Sequence, residues 1–340
     1  MAIELPVRER RVAALGGVSL AAALVCVLIS PREALTGWLG AAVLFQALPM
    51  TALALLATMR LVPGEWEVDL RPVCEFAGRL WPLAALAFVP VLAGMGTIYD
   101  WSSEPAASDF QDAWLGYVPF ALRTVLWFVG LGLIARGQIG RRAGEGASSA
   151  ALVFLVLGGS LVAVDWLMSL DAHFHSSGFG LQVLAIEAGA AFMALLIVRM
   201  AMPGPIARPG ILGGLLLTLM VVWAYFQFLP YLVIWSGNLP EGAAWYAQRG
   251  GDGWSLVLWV VIALSLAVLG ALFFAQVRTR LRPLRLAAAI ALAGKGLEFA
   301  WFALPGRGGL AVLAYALTLA GLAALGAAGL GILCRMETPA

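Results

Sequence analysis

The sequence has few of the residues that bind redox centres: its 340 residues include two histidines and three cysteines. A transmembrane haem b needs axial ligands on facing helices, and His173 and His175 are too close together to provide them within one chain. Cys26, Cys74 and Cys334 have neither metal-site nor disulfide spacing. We therefore expect no haem and no iron–sulfur cluster in this chain, and we expect the cysteines to serve in helix packing.

Charged residues are also scarce, at 12% of the chain, whereas 62% of the residues are hydrophobic. This balance is far from that of a soluble domain. The sequence contains no P-loop and no Rossmann glycine pattern, which argues against nucleotide binding. The formal net charge of +2 gives no indication of a nucleic-acid partner.

Long apolar runs are abundant. A hydrocarbon core of about 30 Å requires roughly 20 apolar residues per helix. The sequence predicts an all-α integral membrane protein with about ten transmembrane helices and lipids as neighbours. The predicted segments lie near 12–30, 37–59, 77–98, 115–136, 149–170, 180–201, 211–235, 254–276, 285–304 and 309–334.

The arginines predict the orientation of these helices. In the predicted topology sixteen arginines lie on the amino-terminal side of the membrane, whereas the opposite side has only Arg32, Arg249 and Arg307. By the positive-inside rule both termini lie in the cytoplasm. We therefore expect a multi-pass protein of a bacterial inner membrane, with its acidic loops outside.

Short loops predict one membrane domain over residues 1–340. Features of the third and fifth predicted helices recur in the seventh and ninth. Helices four places apart in the chain cross the membrane in the same direction. This echo predicts two four-helix bundles, helices 2–5 (37–170) and helices 6–9 (180–304), flanked by helices 1 and 10.

Several ionisable residues fall inside the predicted helices, where an unpaired charge costs several kcal/mol. With about 1.5 Å of rise per residue, all lie in the outer half of the bilayer, roughly 7–13 Å below the outer helix ends. A functional role is one interpretation of these charges, and mutual neutralisation is the other. Lys295 and Glu298 are three apart on one helix and could neutralise each other, and Arg123 could neutralise Asp165 or Glu187 across a bundle. These residues are Arg123, Asp165, Glu187, Lys295 and Glu298.

Asp171 and His173 follow Asp165 where its helix reaches the outer surface. Quinol oxidation releases two protons, which a carboxylate and an imidazole beside the ring oxygens can accept. A His-x-His metal site lacks a firm third ligand, so we predict no metal. The pattern favours an outer proton half-channel or quinol pocket, with electrons carried by partner subunits.

Two stretches resemble a known family. Residues 165–180 read D-W-L-M-S-L-D-A-H-F-H-S-S-G-F-G, and residues 227–241 read Q-F-L-P-Y-L-V-I-W-S-G-N-L-P-E. They are similar to signatures of the ActF-type subunit of alternative complex III, also called quinone-binding subunit 2 of quinol:cytochrome c oxidoreductase. That family is related to the NrfD and polysulfide-reductase membrane subunits.

The resemblance implies a respiratory complex that oxidises quinol and passes electrons to cytochrome c or to an oxidase. It implies iron–sulfur and c-type haem subunits, a haem-copper oxidase or another NrfD-like subunit as partners, and quinone or quinol as ligand. Asp165, Asp171 and His173 match the first motif. Gln227, Asn238 and Glu241 fall in the second.

The sequence departs from the family at three positions: Ala172 replaces a proline, Phe174 a tryptophan, and Gly242 a second glutamate. Two other classes stay open. A secondary transporter would bind substrate and ion at the same buried charges, whereas a structural anchor would pair all of them.

Overall fold

The computed structural model describes residues 7–103, 109–171, 174–251 and 253–336. It is 85% helical, and the described residues contain no strand. Two short 3₁₀ helices, Asp100–Ser102 and Met168–Leu170, accompany the α-helices. In chain order the α-helices are α1 (Val7–Ile29), α2 (Pro31–Leu61), α3 (Trp66–Gly78), α4 (Trp81–Ala87), α5 (Val89–Ala93), α6 (Met95–Ile98), α7 (Asp109–Leu115), α8 (Tyr117–Gln138), α9 (Glu145–Trp166), α10 (Phe179–Ala201), α11 (Pro209–Ser236), α12 (Pro240–Gln248), α13 (Trp254–Leu272), α14 (Ala275–Thr279), α15 (Leu281–Ala303) and α16 (Gly309–Met336).

Nine helices within the described ranges are long and apolar enough to cross a membrane. α3 and the helical stretch Trp81–Ala93, bent by 41° at the break between them, pass the same test as a pair, which brings the number of spans to ten if the pair is one broken span. The protein is therefore an all-α integral membrane protein of about ten helices, as its apolar runs predict.

The third span differs from the prediction of one helix over 77–98. It begins eleven residues earlier, at Trp66, and is divided into α3, α4, α5 and α6. Pro82 and Pro90 lie at the starts of α4 and α5. Because proline lacks a backbone N–H and clashes with the preceding turn, it breaks a helix at such points.

Helix α2 is the most enclosed of the spans, with 78% of its most apolar window buried. It packs against α3, α9, α10, α15 and α16. Its Trp38 indole donates a hydrogen bond of 2.7 Å to the Ala87 carbonyl, at the end of α4. This bond satisfies a backbone group beside a helix break, which in an apolar environment would otherwise cost several kcal/mol.

The other helices pack around this centre. In the first half α8 packs against α9 and α4, and in the second half α10 and α13 pack against α15. Helix α10 of the second half also packs against α2 and α9 of the first half, so the two halves are in direct contact. The division into bundles at 37–170 and 180–304 stays a prediction.

The connections meet at two faces. We call the face where α1 begins and α16 ends the proximal face; there Gly331 adjoins the Glu9 side chain. The opposite face, the distal face, carries the connections after α1, α6, α9, α11 and α15. Ion pairs join these connections, such as the one between Arg32 and Asp100.

At the proximal face, acidic residues in α3 and immediately before it form ion pairs with arginines from other parts of the chain. The Asp69 carboxylate accepts hydrogen bonds of 3.1 Å from the backbone N–H groups of Ala207 and Arg208. Arg199 Nε donates to the Asp69 carbonyl at 2.8 Å. These bonds fix the α10–α11 connection to α3.

Candidate functional site

A buried ion pair joins α8 and α9. Arg123 Nε donates to Asp165 Oδ2 at 2.6 Å, and Arg123 Nη2 donates to Asp165 Oδ1 at 3.1 Å. Trp114 Nε1 donates to the same Oδ1 at 3.0 Å, while the Arg123 guanidinium lies 4.2 Å from the Trp114 ring centroid. The sequence left Asp165 and Glu187 open as partners of Arg123, and the structure identifies Asp165.

The end of α9 holds this pair in place. The Ser169 hydroxyl donates to the Asp165 carbonyl, and Trp101 Nε1 donates to Ser169 Oγ at 3.4 Å. The Trp166 indole donates to Thr124 Oγ1 at 3.1 Å, which ties α9 to α8 a second time. Asp165 itself is 0% exposed. This cluster is therefore well suited to holding helices together.

Glu187 on α10 lies apart from that pair and has neutral neighbours. Gln46 Nε2 of α2 donates to Glu187 Oε1 at 2.7 Å, and Trp127 Nε1 of α8 donates to Gln46 Oε1 at 3.2 Å. Gln46 was not among the site residues that the sequence predicted. The structure makes it the link between three helices.

The second half of the chain contains a buried pair on a single helix. Lys295 Nζ donates to Glu298 Oε2 at 2.6 Å, and their side chains are 0% and 3% exposed. The Lys295 ammonium also lies 3.5 Å from the Trp223 ring centroid and 3.5 Å from Ser265 Oγ. The spacing of three residues predicted this pairing, and the contacts confirm it.

Glu298 collects further hydrogen bonds from α11. Trp223 Nε1 donates to its Oε1 at 2.9 Å, and the Gln227 side-chain amide donates to the same oxygen. All of these partners are donors, an arrangement that suits an ionised carboxylate. Because the site lies in an apolar interior, this carboxylate needs every one of those donors.

A row of polar side chains continues from Glu298 toward the distal face. Gln182 Nε2, in the first turn of α10, donates to Gln227 Oε1 at 2.7 Å. The Tyr246 hydroxyl of α12 lies within hydrogen-bonding reach of Gln182. Burial raises the pKa of Tyr246 above its ordinary value of 10.0. We call Lys295, Glu298, Gln227, Gln182 and Tyr246 the polar row.

The polar row ends beside a charged cavity of about 270 Å³ at the distal face, which we call the distal pocket. Four of its lining residues are charged: Asp100, Asp171, Arg249 and Arg307. Arg249 Nη1 lies 4.0 Å from Asp171 Oδ2, and its guanidinium stacks 3.7 Å from the Trp245 ring centroid. Burial lowers the pKa of Arg249 to about 10, although Asp171 opposes the shift.

The remaining predicted residues lie outside these clusters. Asn238 is exposed and has a φ of 47°, in the left-handed region that asparagine tolerates better than most residues, so it serves the turn between α11 and α12. Glu241 is exposed in the first turn of α12, where the helix dipole favours an acid. His173 lies outside the described residues, and His175 is exposed at the distal face.

The described contacts thus place the predicted site residues in separate groups. Arg123 pairs with Asp165, Glu187 with Gln46, and Lys295 with Glu298, while Asp171 lines the distal pocket. Sequence analysis did not identify several residues that complete these groups, including Gln182 in the polar row, Trp223 beside Glu298 and Trp114 beside Arg123. The available signal was a tryptophan or glutamine within or beside an apolar run, which is too common in membrane helices to be specific.

Metal ligation has no support in the described ranges, where no group of three or more histidine, cysteine, aspartate or glutamate side chains is placed to hold an ion. The fold and the buried charges define a multi-pass membrane protein with an internal polar row. A scan against protein-family models and a search of curated proteins each returned no match for this chain.

Proposed function

We propose that this chain is a membrane subunit of a respiratory electron-transfer complex that oxidises quinol and delivers electrons to cytochrome c or to an oxidase. In this proposal the subunit has no redox centre of its own and contributes a proton half-channel that opens at the distal face. The distal face is then extracytoplasmic, and both termini lie in the cytoplasm of a bacterial cell.

The observation that carries the proposal is the polar row. It leads from a buried lysine–glutamate pair to a charged pocket at the membrane surface. A charge this deep in a membrane costs several kcal/mol, so an intramembrane acid and base in contact are functional candidates by default. The resemblance of 165–180 and 227–241 to the ActF-type subunits agrees with this role, and Gln227 belongs to both the motif and the row.

The pair offers a simple proton chemistry. Lys295 and Glu298 in contact can be two ions or, after one proton moves across 2.6 Å, an amine and a carboxylic acid. A proton that arrives or leaves through the distal side converts one charge state of the pair into another. Glutamine amides relay protons poorly, so we assign Gln227 and Gln182 to holding Glu298 and lining the route.

The partner subunits in this proposal hold the redox centres. They are iron–sulfur and c-type haem subunits, a haem-copper oxidase, or a second NrfD-like membrane subunit. Quinol is the substrate of the whole assembly. A quinol pocket at the distal end of the row is the second form of the proposal, because a ring oxygen there would lie near Asp171 and Arg249.

The group around Arg123 and Asp165 has a different role. The doubly hydrogen-bonded Arg123–Asp165 pair favours a structural function, as in the anchor alternative. We therefore assign the proton route to the second half of the chain and the helix-joining role to Arg123 and Asp165.

The test uses the assembled complex in membrane vesicles, with quinol oxidation and proton translocation measured together. Glu298→Gln and Gln227→Leu are expected to lower the number of protons moved per electron while quinol oxidation continues. Thr218→Val is the matched control. Thr218 is exposed on α11, the helix that also carries Gln227, and among the described residues its hydroxyl donates only to the Gly214 carbonyl.

Three outcomes would overturn the proposal. An unchanged proton-to-electron ratio in both variants would exclude the half-channel. Solute uptake by the isolated chain in liposomes would identify a transporter. Purification of the native chain without any haem or iron–sulfur polypeptide would exclude the respiratory assembly. Quinone that co-purifies and is lost in Asp171→Asn would favour the pocket over the half-channel.

A further inference from the structure

A membrane-facing groove lies between the α3–α4 bend and the end of α8. Its volume is about 730 Å³. Its wall is apolar and includes Trp81, Val129 and Leu133, and Val129 and Leu133 are 50% and 67% exposed on the outside of the protein. The groove is therefore open to the acyl chains that surround α8.

Three arginines form the proximal rim of this groove: Arg79, Arg136 and Arg142. All three are exposed, and no acidic residue lines the groove. Arg79 follows α3, Arg136 is in the last turn of α8, and Arg142 lies in the connection to α9. They therefore cluster where helices leave the membrane.

The rim arginines differ from four neighbouring arginines that contact α3 or its start at the same face. In the described part of the chain Arg71, Arg141, Arg199 and Arg208 each make an ion pair with an acid of α3 or its start. Within the same residues, none of the rim arginines makes an ion pair or a side-chain hydrogen bond. The neighbouring cavity of about 280 Å³ shows the contrast, because its two arginines face Glu67 and Glu75.

The wall of the groove also carries one polar group, the indole N–H of Trp81. The Trp81 ring packs on Gly132, where a Cβ would lie 3.0 Å from the indole. No hydrogen bond is made by Trp81 among the described residues, so its N–H is an available donor. Tryptophan at this depth is the usual partner of lipid glycerol and headgroup atoms.

We propose that this groove binds an anionic phospholipid, with its phosphates on Arg79, Arg136 and Arg142 and an acyl chain along Val129 and Leu133. Basic pockets between membrane helices bind the headgroups of such lipids. Three guanidinium groups without a protein acid favour a lipid with two phosphates, of the cardiolipin type. A free anion would gain nothing from the apolar wall, so the site selects a lipid over soluble phosphate. The inference does not depend on the proposed function.

The test measures lipid retained by the purified full chain in native mass spectrometry, and its affinity for labelled cardiolipin in phosphatidylcholine nanodiscs. Each arginine near a membrane surface contributes about fivefold to such binding, so we expect R79Q/R136Q/R142Q to weaken it by at least about tenfold. The matched control is R280Q/R282Q/R285Q, which removes the same charge from exposed arginines of the α14–α15 region.

A second variant keeps the charges and fills the groove. Val129→Trp places a large side chain on the exposed wall, and it is expected to displace the lipid without loss of folding. Equal effects of the two triple variants would overturn the proposal, because general surface charge would then account for the binding. Equal retention of phosphatidylcholine and cardiolipin would also overturn it, as would competition by inorganic phosphate alone or occupation of the groove by a co-purifying polypeptide.

Discussion

Removal of one member of the Arg123–Asp165 pair provides a sharp stability test. Asp165→Asn keeps the shape of the side chain but strands the Arg123 guanidinium, which retains its 2.8 Å bond to the Trp114 carbonyl and its stacking on that ring. A guanidinium cannot release its proton in a protein. Arg123→Met is the converse change, and the carboxyl group that it strands can take up a proton and become neutral.

The magnitude follows from burial. Asp165 has a 0% exposed side chain and Arg123 an 18% exposed one. Breaking a buried ion pair on one side costs about 3–5 kcal/mol, and the partial exposure of Arg123 places Asp165→Asn near the lower bound, at about 3 kcal/mol. Arg123→Met should cost less, and the double variant should cost less than the sum of the two, with a coupling free energy of about 1–3 kcal/mol.

The assay is the free energy of unfolding of the purified chain in mixed micelles, measured for the wild type, both single variants and the double variant. Thr218→Val again serves as a control for surface change. The reasoning fails if Arg123→Met destabilises more than Asp165→Asn, or if the two effects are additive. Either result would mean that the guanidinium reaches water or headgroups.

Three further predictions follow from other contacts. Glu298→Gln will cost about 3–5 kcal/mol of unfolding free energy, and this loss will shrink as pH rises, because the stranded Lys295 ammonium can release its proton. Burial raises the pKa of Tyr246 above 10.0, so its contribution to stability is fully present below that pH and is lost as pH rises through the folded-state pKa; Tyr246→Phe will remove this decline in an alkaline unfolding series. Gly37→Ala will cost about 1–3 kcal/mol in a thermal or denaturant series, because the added Cβ would lie 2.2 Å from the Ala311 carbonyl oxygen. Gly17→Ala is the control and will be neutral or slightly stabilising, because nothing lies within 4 Å of its added Cβ. Equal losses at both glycines would contradict the packing of α2 on α16.

The spans were predictable because a membrane helix requires a long apolar run, and such runs are visible in the sequence. A run of roughly 20 apolar residues matches the thickness of the hydrocarbon core, and such runs indicate membrane helices. The third span was mispredicted in shape, since hydropathy does not register where Pro82 and Pro90 interrupt the helix. It also does not register that Trp66–Gly78 packs into the protein, which only the burial of Asp69 and Leu70 reveals.

The sequence gives the position of a candidate residue along its helix, but not which neighbouring helix it faces. Counting residues from a helix end gives the height of Asp165 or Glu298 in the membrane, whereas their lateral separation depends on how the helices pack. The Lys295–Glu298 pair was accessible because both residues lie on one helix. Gln182 and Trp223 were not, because their contacts join segments between 45 and 75 positions apart in the chain.

The antiparallel packing of α1 on α16 has a consequence for biogenesis. Gly16 faces Gly321, and the Ser19 hydroxyl donates to the Leu317 carbonyl at 2.7 Å. A ribosome makes α1 long before α16, so α1 waits in the bilayer without its main neighbour while eight spans are inserted. During that interval lipid or the insertion machinery must cover its glycine face until α16 is inserted and packs against it.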